Sequence, residues 1–103
     1  MNVLVISGRL TADAEVRTID SGKSLLSFSL ADNEIYYDTE GKKVDTVEFH
    51  NCFKWSKTIP KVADFLIKGR SISVKGRLVT NRWKDKEGND RSRKALRISE
   101  LNL

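Results

Sequence analysis

Apolar and polar residues alternate in short runs along this chain, and glycine-bearing polar stretches separate the runs, which is the punctuation of an all-β protein. Val3 to Leu10 predicts a first strand, apolar enough to be buried on much of both faces. Ser24 to Leu30 alternates, with Leu26, Phe28 and Leu30 on one side and Ser27 and Ser29 on the other. Tyr36 and Tyr37 close this second strand before the polar turn DTEGKK, and a third strand runs from about Lys43 to Trp55. In the fourth, Ile72, Val74 and Leu78 share a core face; Ala95 to Leu103 supplies the fifth.

One segment departs from the two-residue period. In SKTIPKVADFLIKG, Ile59, Val62, Ala63 and Leu66 fall at helical spacing and predict an α-helix. Pro60 suits its first turn, Ser56 or Thr58 its cap, and Lys68-Gly69 its end. Three strands, one helix and two strands is the layout of the OB-fold, a small five-stranded Greek-key barrel with its helix between strands 3 and 4. Closure removes the edges that so short a sheet would otherwise expose. An SH3-like barrel is the competitor, but it does not usually carry a helix of about three turns at this place.

Aromatic residues stand where this pattern leaves no room for them inside. Trp83 lies in NRWKDKEGNDR among charged residues, and its odd parity in the fourth strand sets it opposite Ile72 and Val74, unless a bulge returns it to the core. In the third strand Phe49, Asn51, Phe53 and Trp55 share a face, more bulk than one strand gives to a small core. Phe49 and Trp55 are therefore expected at the surface, joined by one of the two tyrosines. Rings interleaved with cations suit an unpaired nucleic-acid strand, because every base offers a π-face and stacking needs no sequence. Lys54, Lys57, Arg77, Arg82, Lys84 and Lys86 are placed to meet phosphates. Duplex DNA hides its base faces, so the rings point to single strands.

The formal net charge of +5 over 103 residues agrees with a polyanionic partner without choosing between nucleic acid and a membrane surface. No apolar run approaches the roughly 18 residues of a membrane span, and MNVLVISGRL does not read as a signal peptide, which suggests a cytoplasmic protein. Cys52 is the only cysteine and reads as a small buried apolar residue, so neither a disulfide nor a multi-cysteine metal site is expected. SGKS (Ser21 to Ser24) is not the end of a phosphate-binding loop: Arg17 stands where the motif needs glycine, and a strand follows instead of a helix. His50 has no nucleophile and third partner around it, and lysines alternate with Asp85, Glu87 and Asp90, so no catalytic, cofactor or metal site is expected.

The stretches ISGRLTADAEVRTIDSGKSLLSFSLADNE, VEFHNCFKWSK and FLIKGRSISVKGRLVTNRWKDKEGNDR, in that order, resemble the bacterial single-stranded DNA-binding protein (SSB) family over almost the whole chain. The resemblance implies a non-enzymatic barrel, residues 1–103, that coats single-stranded DNA with little sequence preference in replication, recombination and repair, near the nucleoid. It implies base stacking by Tyr36, Phe49, Trp55 and Trp83, and phosphate contacts by Lys57, Lys68 and Arg82. Asn51 and Val3 stand where the family often has arginine and lysine. It also implies a homotetramer, a dimer of dimers, with His50 near a subunit interface. The sequence ends at SELNL, before the glycine- and proline-rich linker and acidic tip usual in the family. Either the chain is shortened or the form is tail-less, as in a phage or mobile-element variant, which leaves recruitment of replication and repair proteins open. The rival readings are a primosomal OB adaptor that bridges replication-restart proteins and an OB-barrel nuclease.

Overall fold

In a computed structural model, which describes every residue except Asp20 and Ile59, the chain forms β1 (Leu4–Leu10), β2 (Glu15–Thr18), β3 (Ser24–Tyr37), β4 (Lys43–Ser56), β5 (Ser71–Lys84) and β6 (Asp90–Asn102). Their order is β1-β5-β6-β4-β3-β2, and β1 also pairs with β3 at Arg9–Ala31 and Leu10–Leu30. That last pairing closes β1, β5, β6, β4 and β3 into a five-stranded barrel of the OB type, with the short β2 laid on β3 outside the ring. The pairs are antiparallel except β4 with β6, where Cys52 meets Leu96 and Phe53 meets Arg97.

Alternation builds the interior. Ile6 and Leu10 of β1, Leu26, Phe28 and Leu30 of β3, Cys52 of β4, Ile72 and Val74 of β5, and Leu96 and Ile98 of β6 form one buried cluster. Burial of each such side chain stabilises the fold by about 1.5–3 kcal/mol. β6 keeps both Leu101 and Ile98 directed at this interior because its pairing with β5 jumps from Lys75–Glu100 to Gly76–Ile98, leaving Ser99 as an extra residue whose Oγ donates to the Lys75 carbonyl at 3.1 Å. The extra residue lies in β6, so β5 keeps its own alternation.

The expected α-helix is not formed. A single 3-10 turn, Lys61–Phe65, takes its place, with Pro60 extended (φ −64°, ψ 134°) and no side-chain cap from Ser56 or Thr58; Ile59 lies outside the described residues. The backbone of this segment is committed elsewhere. Leu66 N–H donates to Ala63 O (3.2 Å) rather than to the residue four back, its carbonyl accepts from Ala14 N–H (2.9 Å), and Gly69 N–H donates to Leu10 O (2.8 Å). The apolar stripe still does its packing: Leu66 is buried in the core, with Val62 and Ala63 against it.

Three further expectations change. β1 buries one face only, for Val5 is 64% exposed while Ile6 beside it is buried. Leu78 has the inward parity of Val74 and pairs with buried Leu96, but is 41% exposed because the β1–β5 pairing ends at Leu4–Gly76 and leaves that side of it open. The last strand is also longer than the patterning suggests, for β6 begins at Asp90 rather than Ala95: β3 and β4 pair out to Tyr37–Lys43 as expected, and β5 and β6 out to Lys84–Asp90. These extensions are two hairpin arms. They raise the radius of gyration to 16.0 Å, where about 13 Å is usual for a compact domain of this length.

The arms end in turns of one design. In DTEGK, Asp38 N–H donates to Lys42 O, Gly41 N–H donates to Asp38 O, and Asp38 Oδ1 accepts from the N–H groups of Glu40 and Lys42. In DKEGN, Asp85, Gly88, Glu87 and Asn89 repeat every bond. Gly41 (φ 81°) and Gly88 (φ 83°) take the left-handed position that such a turn requires.

Candidate nucleic-acid interface

The alternation that sends Leu26, Phe28 and Cys52 inward sends Leu25, Ser27, Asn51, Phe53 and Trp55 outward, and the register sets Leu25 beside Trp55 and Ser27 beside Phe53. On β5 and β6, Asn81 pairs with Arg93 and Trp83 with Arg91, so these four leave one face of the arm. The two surfaces meet in a groove of about 540 Å³, lined by Asn51, Phe53 and Trp55 on one wall and Asn81, Arg93 and Ala95 on the other. The loop after β1 and strand β2 close its far side with Asp13, Glu15 and Arg17. Asp13 is already engaged, accepting from Lys68 N–H at 2.8 Å.

Trp55 is 42% exposed, Phe49 62% and Trp83 46%. Trp55 and Phe49 share the outer face of β4, six residues apart. Trp83 continues the groove face outward along the β5–β6 arm, with the Arg93 guanidinium 5.9 Å from its ring centroid. Such an indole has one face beside a cation and a large part of its area open to stacking.

The other expected site residues are dispersed. Tyr36 pairs with Val44 on the face that continues Leu30 and Glu48, whereas Tyr37 pairs with Lys43 and shares the outer face with Phe49. Lys54 has the parity of Cys52 and leaves β4 away from Trp55. Arg82 and Lys84 alternate onto the back of the arm, while Arg77 keeps the parity of Trp83 nearer the barrel. Lys57 and Lys68 are exposed in the connection between β4 and β5, and Lys86 stands at the arm's turn. His50 is half-buried, its Nε2 3.9 Å from Asp32 Oδ2.

Phe53, Asn81 and Arg93 were not singled out from the sequence. Phe53 had a signal, being in the outward row with Trp55. Arg93 had none, because its placement depends on the β5–β6 register. Asp85, considered as part of a metal cluster, is instead occupied by its own turn: Oδ1 serves two backbone N–H groups and Oδ2 accepts from Arg91 Nε at 3.0 Å. Those bonds, the one to Asn89 N–H above all, hold its carboxyl below the usual range. Burial pushes the Cys52 thiol up to about 12, which makes it an inert core group. Among the described residues no helix is long and apolar enough to cross a membrane.

A closed five-stranded barrel with an aromatic groove across its outer face and a cation-bearing arm beside it defines an OB-type binding barrel. Residues 1–103 match the single-strand binding protein family, and the chain belongs to that family. It is 35% identical over 92 residues to the single-stranded DNA-binding protein of Deinococcus radiodurans, covering 89% of this chain and 30% of that protein. It is 36% identical over 88 residues to single-stranded DNA-binding protein 2 of Listeria monocytogenes, covering 85% and 54%. The chain thus spans between about a third and rather more than half of these curated relatives. Among solved structures, the Plasmodium falciparum SSB complex with ssDNA superposes with a TM-score of 0.84 at 24% identity, covering 98% of this chain and 92% of that one. A deletion mutant of the Thermus aquaticus single-stranded DNA binding protein gives 0.84 at 24%, covering 99% and 49%. These two likenesses establish the fold.

Proposed function

We propose that this chain binds and protects single-stranded DNA without catalysing a reaction on it, in replication, recombination and repair. The observation that carries the reading is the groove in which Phe53 and Trp55 face Asn81 and Arg93, with Trp83 exposed at its outer end. Bases stack on Trp55 and Trp83 at roughly 1–3 kcal/mol each, and Phe49 extends the row along β4. Tyr37 shares that face; Tyr36 serves only a strand that passes around the arm. Arg77, Arg82, Lys84 and Lys86 supply the positive field of the β5–β6 arm, with Lys54, Lys57 and Lys68 at the other end of β4. The Plasmodium relative, solved with ssDNA, supports the same ligand for this chain.

We further propose a homotetramer built as a dimer of dimers. Between Leu4 and Gly8, β1 is hydrogen-bonded to β5 alone, and Val3 and Val5 are exposed beside that open edge. His50, paired with Asp32 outside the groove, suits a subunit contact rather than DNA. The role places the protein with the chromosome in the cytoplasm. A titration of intrinsic tryptophan fluorescence with oligo(dT), with the mass of the free protein measured alongside, tests both proposals. Quenching that saturates and a fourfold protomer mass are expected. Absence of quenching removes the groove as the site, and a monomer mass removes the assembly.

A further inference from the structure

Resting on the single-stranded reading of the groove, we propose that Arg93 is the phosphate-binding residue on the groove face of the β5–β6 arm, and that its neighbour Arg91 serves the turn instead. Both arginines leave the face that carries Trp83. Charge alone does not separate them, but geometry does. Arg91 Nε donates to Asp85 Oδ2 at 3.0 Å, and that carboxylate is fixed by the N–H groups of Glu87 and Asn89. Arg91 is thus neutralised and held back toward the arm's tip. Arg93 has no carboxylate partner among the described residues. Its guanidinium lies by the Trp83 ring, and the same side chain lines the groove with Asn51, Trp55 and Asn81.

At 5.9 Å from the ring centroid the Arg93 guanidinium is within cation–π reach of the indole, and among the described residues its N–H edge meets no carboxylate. That edge is the part that grips phosphate through two parallel hydrogen bonds. Trp83 lies beside that edge, so a base that stacks on the indole brings its phosphate within reach of the fork. A lysine at position 93 would keep the charge and lose the fork.

The test compares wild type, Arg93→Ala, Arg93→Lys and Arg91→Ala in oligo(dT) titrations at several salt concentrations, each with its thermal midpoint. Arg93→Ala is expected to weaken binding about tenfold at low salt and to make the log–log salt slope shallower by about 0.7, the loss of one phosphate contact on a single strand. Arg93→Lys is expected to keep the slope while losing several-fold in affinity. Arg91→Ala is expected to keep the slope and lower the thermal midpoint. If wild type binds and Arg93→Ala binds equally well with an unchanged slope, Arg93 is not the phosphate ligand. A shallower slope in Arg91→Ala instead would exchange the two roles. A wild type that does not bind oligo(dT) overturns the functional reading itself, and this assignment with it.

Discussion

The β3–β4 and β5–β6 arms leave the same end of one barrel and finish in turns with matching hydrogen bonds, yet they present opposite fields. Between Asp32 and Glu48 six carboxylates accompany two lysines, and Asp32 stands directly across from Glu48. Between Arg77 and Lys94 seven cations accompany three carboxylates. The net charge of the chain hides this division. Backbone geometry made the arms alike; side chains outside the core made one repel a polyanion and the other attract it. An aromatic ring on the first arm must hold a base against its neighbours' repulsion, whereas Trp83 on the second has Arg93 beside it.

The largest effect should come from the fields. Charge reversal of Arg82, Lys84 and Lys86 to glutamate is expected to weaken oligo(dT) binding on the order of a hundredfold near 50 mM salt and make the salt slope shallower by about 2. The same reversal of Lys42 and Lys43 should change little. Equal losses from the two arms, measured by fluorescence titration, would dismiss the division between them.

Stacking comes next. Trp83→Ala should lose about 1–3 kcal/mol of binding, and Tyr36→Ala less than about 1 kcal/mol, since that ring leaves the acidic arm on the side away from Phe49. The affinities of the two variants for a single oligo(dT) length decide this, and a larger loss for Tyr36 would require DNA to wrap the β3–β4 arm.

The turns differ more subtly. Asp85→Asn removes the turn acceptor's charge and the partner of Arg91; Asp38→Asn disturbs a turn alone. Amide exchange should therefore quicken more at Gly88 than at Gly41. Because the folded Asp85 carboxyl titrates below its ordinary value, its contribution is complete above the usual carboxylate range near pH 4 and is lost as pH falls through the depressed value. Exchange around Gly88 followed downward from pH 5 checks that sign. The smallest effect is expected in the barrel: Cys52, with its thiol at about 12, should resist alkylation at pH 8 in every arm variant as in wild type. Rapid labelling would mean that an arm substitution opens the core.

Much of this arrangement was legible because alternation is a local property. Ile72 and Val74 against Trp83, and Leu26, Phe28 and Leu30 against the serines between them, follow from parity once a strand is recognised, and the order of elements then suggests the barrel. What failed depended on distant partners. The Val62, Ala63 and Leu66 stripe does reach the core, but Ala14 and Leu10 take the hydrogen bonds that a helix would have used internally. Leu78 has core parity and pairs with buried Leu96, yet stays exposed because β1 pairs with β5 only as far as Gly76. Arg93 belongs to the same class: a residue whose surroundings come wholly from the register of two strands.

The parallel contact between β4 and β6 spans two residue pairs, Cys52–Leu96 and Phe53–Arg97. Outward of that join each ribbon depends on its own ladder, so residues 32–48 and 80–94 behave as separable attachments to a common base. A hairpin of equal length and register grafted in place of either should leave the barrel standing. Ligand preference in such a chimera would then travel with the transplanted ribbon, which makes this domain a host for interchangeable fingers.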